Sequence, residues 1–179
     1  MASSPTLQYP SRPQRARAGL VGDQNPARID SFVLKAGETA NPGAVLLQVP
    51  QGASASSNFP KIAERARTVG TRPIAGFAVY EASLPQSPYR EAFYLEKESV
   101  GVVRQGRVWV PVENFAGVDP VAAADTWFVR NAGASAGALR YGDDDGGTCT
   151  AITTGKIRAI DRETVGATTL VYVECNFGV

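Results

Sequence analysis

A chain of 179 residues with 18 Lys and Arg against 17 Asp and Glu is nearly neutral, at +1, and it has no histidine. That balance gives no global attraction to nucleic acid or to an anionic membrane. The missing imidazole removes the usual neutral-pH general base, the Ser-His and Cys-His nucleophile pairs and most catalytic zinc designs.

The length fits one domain, with or without an arm. Abundant Gly, Ala, Val, Thr and Pro, with little Lys or Leu, favour short strands over long surface helices. No apolar run nears the ~20 residues that span a bilayer. Residues 1–10 lack a basic start followed by an apolar stretch, so no secretory signal is expected. Cys149 and Cys175 make no CxxC pair. They read as buried free thiols in a reducing compartment, with a disulfide as the alternative.

Residues 1–18 are expected to form an arm and residues 19–179 a β-rich domain. Pro5, Pro10 and Pro13 discourage regular structure, and Arg12, Arg15 and Arg17 add positive charge. The arm is either a solvated tail or a segment that orders on a neighbouring subunit; nucleic-acid binding is the minor third reading, because its one aromatic, Tyr9, is not interleaved with the arginines. Strands are expected at 29–34 and 44–49, with Asn41-Pro42-Gly43 as a turn between them and a polar loop over 51–58. Residues 59–69 are the one helical candidate, with Ile62, Ala66 and Val69 on a shared face. A strand follows at 74–80, with Phe77 and Val79 on one face and Ala78 and Tyr80 on the other. A proline-punctuated loop follows at 82–90.

Residues 98–113 read as a hairpin turning at Gln105-Gly106, with Gly106 supplying the positive φ. This groups Val103, Val108 and Val110 on one face and sets Arg104 opposite Arg107. Pro111 hints at an edge or a bulge. A compact strand is expected at 126–130, with Trp127 and Val129 sharing a face, then a flexible small-residue excursion over 131–147. Two strands joined near Thr154-Gly155 fill 149–160. The last strand, 168–177, places Val171, Val173, Cys175 and Phe177 on one face and Leu170 and Tyr172 on the other. A strand apolar on both faces is either central or covered by a partner. Together these elements predict a mainly β fold. It is a compact sandwich or barrel-like domain of short antiparallel strands with one short helix and an extended N-terminal arm.

Sites are sparse. Asp143-Asp144-Asp145-Gly146-Gly147 lacks the spaced ligands of a calcium loop and reads as a solvated acidic turn, with calcium as the alternative. No phosphate-cradling loop, dinucleotide fingerprint or G-x-S-x-G elbow is present. Tyr94, Glu96, Lys97 and Glu98 read as a solvated strand end. Trp109 and Trp127 are either subunit-contact anchors or core fillers. With Tyr172 and the three arm arginines they make up the candidate contact residues. Histidine-independent carboxylate catalysis, such as glycan hydrolysis, would draw on Glu96, Glu113 and Glu174, but nothing in the sequence pairs any two of them.

Three stretches resemble the structural cement, or capsid decoration, proteins of tailed bacteriophages, and the closing strand fits the family's ending. The first is Ala18-Gly19-Leu20-Val21-Gly22-Asp23. The second is 100–113, with Val108-Trp109-Val110-Pro111-Val112-Glu113. The third runs from Asp119-Pro120-Val121 through Phe128-Val129-Arg130 and Gly137-Ala138-Leu139-Arg140 to the acidic run at 143–145. The closing strand is 170–177. The arm, the 82–90 segment and the Ala-rich stretch after Val121 depart from the family pattern. The resemblance implies a virion protein made in the host cytoplasm that sits on the outer capsid surface. Its partners would be the major capsid protein and further copies of itself, as a homodimer or homotrimer. It also implies no substrate and no cofactor; no metal, membrane or nucleic-acid partner is expected from the residues themselves. A tail or head–neck component is the alternative within virion structure.

Overall fold

The computed structural model describes residues 16–22, 27–50, 61–66, 73–80 and 93–178. Five strands close a barrel: β1 (Arg28–Leu34), β2 (Val45–Gln48), β3 (Ile62–Arg65), β4 (Ile74–Ala78) and β5 (Ser99–Glu113). They run in the order β1-β3-β2-β4-β5, and β5 returns to pair with β1. Phe32, Leu34, Leu46, Tyr94, Val100 and Val102 fill the interior and are fully buried. Closure removes the exposed edges that an open sheet of these short strands would have.

The second half of β5 leaves the barrel and becomes the middle of an outer sheet. The other members are β6 (Trp127–Arg130), β7 (Leu139–Tyr141), β8 (Cys149–Ala151), β9 (Lys156–Val165) and β10 (Thr168–Asn176). Their order is β9-β10-β5-β7-β6-β8. The inner face of this sheet packs on the outside of β2 and β4. Val45, Leu47, Phe77, Val108, Val110, Val171 and Val173 form the larger core there. Full burial of such a side chain contributes roughly 1.5–3 kcal/mol. Strand β4 is therefore covered on both faces, and all five of its residues are buried. Its alternation sends Phe77 to the outer core and Ala78 to the barrel interior, as the sequence predicts.

The Asn41-Pro42-Gly43 turn is present. Ala44 N–H donates to Asn41 C=O at 3.0 Å, and Gly43 has φ +80°, the geometry of a type II turn with Pro then Gly at its centre. The last strand also follows its alternation: Val171, Val173, Cys175 and Phe177 face the larger core, and Leu170 and Tyr172 face outward.

Three local expectations are corrected. Residues 62–65, inside the expected helix, form β3, which pairs parallel to β1 and antiparallel to β2. Ala63 and Glu64 are both buried, so adjacent side chains point to opposite covered sides. A helical stripe cannot produce that pattern, and the apolar spacing that suggested one spans too few residues to decide. Residues 59, 60 and 67–69, and the loops 51–58 and 82–90, lie outside the described residues.

The expected hairpin is one continuous 15-residue strand. At Gln105-Gly106 the chain bends and does not reverse. Arg28 pairs with Gln105 and Ile29 with Val103, so Arg104 is the extra residue of a bulge. The bulge flips the side-chain parity. Val103, Val108 and Val110 still share the larger core, and Arg104 and Arg107 do not face each other. The third correction concerns 131–147. Leu139–Tyr141 is strand β7, parallel to the end of β5, and Leu139 is fully buried.

Candidate functional site

The most structured polar feature is a cluster at the end of the outer sheet where β5 finishes. Glu113 ends β5, Arg130 ends β6, Arg140 lies in β7, and Asp143 and Asp145 follow it in a turn. The β5–β7 and β7–β6 pairings set Arg140 beside both Glu113 and Phe128, which brings the charges together. Arg130 Nη2 lies 2.6 Å from Glu113 Oε2 and 2.7 Å from Asp145 Oδ2. Its Nε also donates to both Glu113 oxygens. Arg140 Nη2 sits 2.7 Å from Asp143 and 3.4 Å from Asp145.

These paired charges shift one another. Arg130 is raised, first by Glu113 and then by Asp145. Arg140 is raised first by Asp143. The Arg130 guanidinium holds the Asp145 carboxyl below the ordinary range. Asp143 and Asp145 are thus turned toward guanidinium groups. Among the described residues no group of three or more His, Cys, Asp or Glu is arranged to hold a metal ion.

The candidate contact residues separate. Trp127 is 4% exposed, stacked on Phe115 at 5.8 Å and edge-on to Tyr141 at 5.3 Å. It fills the core beneath the 114–126 loop. Trp109 stacks on Tyr172 at 5.0 Å on the outer face of β5 and β10. Ala16 and Leu170 close over it, leaving Trp109 9% exposed. Arg17 lies 3.8 Å over the Tyr80 ring, a cation–π contact. Arg12 and Arg15 lie outside the described residues.

Residues 19–22 run along β5, joined to it by an antiparallel bridge between Val21 and Val108. Gly19 N–H donates to Trp109 C=O at 2.7 Å, Trp109 N–H to Leu20 C=O at 3.0 Å, and Gly22 N–H to Arg107 C=O at 3.0 Å. Residues 16–22 are therefore built into the fold, including the last three of the expected arm.

The three glutamates considered for catalysis do not converge. Glu96 accepts the Gly37 N–H in a turn, Glu113 belongs to the arginine cluster, and Glu174 on β10 faces Arg107 at 3.5 Å. The surface cavities of about 480, 430 and 810 Å³ each contain at most one of them. Tyr94 is in the barrel interior, with its hydroxyl donating to Val79 C=O at 2.7 Å. Glu96 and Lys97 form a turn before β5, and Lys97 has φ +64°. Cys149 and Cys175 are both buried and free. Burial pushes the Cys175 thiol up to about 12.

Among the described residues the structure is thus a β framework around packed apolar clusters, with an ion-paired cluster at one end of the outer sheet. The sequence matches the structural cement protein family (E217 gp24/Pam3 gp6) over residues 5–176. The chain belongs to that family of phage structural proteins, whose role is to stabilise the capsid. No curated protein matches it. A solved structure titled "The capsid of Myoviridae Phage XM1" contains a chain of the same fold. That chain is 18% identical, with TM-score 0.64, and the likeness covers 99% of this chain and 100% of that one.

Proposed function

We propose that this protein binds the outer surface of an expanded phage head, bridges neighbouring major capsid subunits, and does no chemistry. The observation that carries the reading is the family match, which extends through both the barrel and the outer sheet. The fold suits that task mechanically. Strand β5 is hydrogen-bonded to β1, β4, β10 and β7, so it ties the barrel to the outer sheet. Pulling the two layers apart would require breaking several ladders together.

The segment before Ala16 belongs to the same proposal. Ala16 is fully buried against Trp109 and Leu170, so the chain is anchored where the arm begins. The arm, with Arg12 and Arg15, acts as an attachment to a neighbouring subunit. Self-association as a dimer or trimer, synthesis in the host cytoplasm, and independence from substrate, cofactor, membrane and nucleic acid complete the reading. Adding purified protein to undecorated expanded heads tests it. Co-sedimentation with the heads and greater resistance to mechanical or thermal rupture are expected. Protein that stays in the supernatant, with unchanged rupture, overturns it.

A further inference from the structure

The pairing register of the outer sheet builds a basic face where β5 bends. Val173, Cys175 and Phe177 of β10 point into the larger core, so Glu174 and Asn176 between them point outward. Residues directly opposite each other in neighbouring strands share a face. Glu174 pairs with Arg107 of β5 and Arg158 of β9, and Asn176 pairs with Gln105 and Lys156. Arg107, Arg158 and Lys156 therefore stand outward beside a single carboxylate, Glu174. A shallow recess of about 430 Å³ lies among Gln105, Lys156, Arg158, Glu174 and Asn176, whose side chains are all polar.

The basic surface continues across β5 to β1, where Arg28 pairs with Gln105. Arg28 Nε lies 3.4 Å from Asp30 Oδ1, and Lys61 Nζ and Arg104 Nη1 lie 3.1 and 3.5 Å from Asp30 Oδ2. Arg104 Nη2 also donates to Gly178 C=O at 3.1 Å, just beyond β10, which joins this group to the first. Among the described residues, Arg28, Lys61, Arg104, Arg107, Lys156 and Arg158 thus gather around two carboxylates, Asp30 and Glu174. The whole chain carries only +1, so this excess is local. Asp30 already serves three cations, and Glu174 faces Arg107 at 3.5 Å. Lys156 and Arg158 are exposed and make no ion pair with a described residue.

We propose that this face is the protein's attachment surface and that it takes Asp and Glu side chains presented by an acidic patch on the outside of the phage head. Charge complementarity selects the partner's chemistry, and guanidinium groups pair carboxylates with two parallel hydrogen bonds. A protein suits the face better than a nucleic acid does. Separate carboxylates can reach the cations on either side of Asp30 and Glu174. A nucleic-acid backbone would carry its closely spaced phosphates across both of those fixed negative charges. The inference rests on the cement reading and adds to it the face and the chemistry of attachment.

The test is co-sedimentation of the full chain with undecorated expanded heads over a salt series. Wild type should bind, and its affinity should fall as salt rises, because exposed charges are screened. Lys156→Glu with Arg158→Glu should weaken binding roughly tenfold or more at unchanged Tm, since both positions are exposed. If that variant melts lower, Lys156→Gln with Arg158→Gln removes the charges without adding repulsion toward Glu174 and replaces it. Lys97→Glu with Arg162→Glu changes the net charge equally at exposed positions away from this face, since Lys97 lies in the turn before β5 and Arg162 pairs with the core residue Val171. It should bind like wild type. Equal binding by the face variant and wild type, equal losses in the face variant and the control, or tighter binding of wild type to a mixed-sequence DNA duplex than to heads would each overturn the proposed face and leave the cement reading standing. Wild type that stays in the supernatant would overturn the cement reading, and the face with it.

Discussion

Adding one methyl group at position 106 distinguishes a bent strand from a turn. The backbone there has φ +135°, and a Cβ would lie 2.9 Å from the Ala27 Cβ and 3.0 Å from its Cα. Holding an L residue at such a dihedral costs about 1–3 kcal/mol. Forcing a carbon into filled space costs about 1–3 kcal/mol more. Gly106→Ala is therefore expected to destabilise the fold by about 2–6 kcal/mol, lowering Tm by about 4–24 °C for a domain of this size. Asparagine supplies the mechanistic control. It tolerates the left-handed conformation near φ about +57° that tight turns use, but not an extended backbone at positive φ. Gly106→Asn should lose at least as much stability as Gly106→Ala, by urea unfolding and by thermal melting. An Asn variant within about 0.5 kcal/mol of wild type, the range of an ordinary surface change, would refute the bent-strand reading.

Other perturbations address the core, the charge cluster and the arm. Val110 is fully buried in the larger core, so Val110→Asp should leave the protein unfolded, because an isolated buried carboxylate is too costly to keep; a soluble protein with native circular dichroism contradicts this. Arg130→Met removes the partner shared by Glu113 and Asp145. It should cost about 1–2 kcal/mol at neutral pH, toward the low end for hydrogen bonds to charged groups because Glu113 and Asp145 are partly exposed to solvent screening; urea unfolding measures it, and no loss would mean the cluster is decorative. Asp145 is held low by Arg130, and Asp30, which burial alone would raise, is held low by Lys61 and Arg28. Folded values below the unfolded ones mean that this stabilisation is complete above about pH 4 and is lost as pH falls through the depressed folded values. Asp145→Asn should therefore flatten the stability–pH profile in that acid window, and an unchanged slope would contradict the pairing. Deleting residues 1–15 should leave Tm unchanged and weaken head attachment. Extending the deletion through Arg17 should lower Tm, because it uncovers Trp109 and removes the Tyr80 contact. Equal Tm for both truncations would show that residues 16 and 17 do not hold the fold.

The strands that could be read from sequence are those whose two faces meet different surroundings. In β10 the alternation of Val171, Val173 and Cys175 against Leu170 and Tyr172 survives because one set lies in the larger core and the other under Ala16 and Trp109. The bend at Gly106 was misread because a turn glycine and a strand-bend glycine look alike locally. Which one forms depends on whether β1 and β10 are available as partners, and that is a long-range property. Strand β3 was misread for a related reason: its pairing with β1 and β2 overrides the weak helical spacing of Ile62 and Ala66. The Glu113–Arg130–Asp145 cluster had no sequence signal, since its members meet only through the β5–β7–β6 order. Trp109 and Trp127 look the same in sequence, yet Trp127 sits in the core and Trp109 on the outer face of the sheet. Only the topology tells them apart.

The central claim is that this chain stabilises a phage head from its outside. Cryo-electron microscopy of intact particles, with this fold fitted into the map, measures that most directly. Density for the barrel and outer sheet over the joints between major capsid subunits, on the exterior of the shell, is the predicted result. Density confined to the tail or neck, or none on the shell, would contradict it.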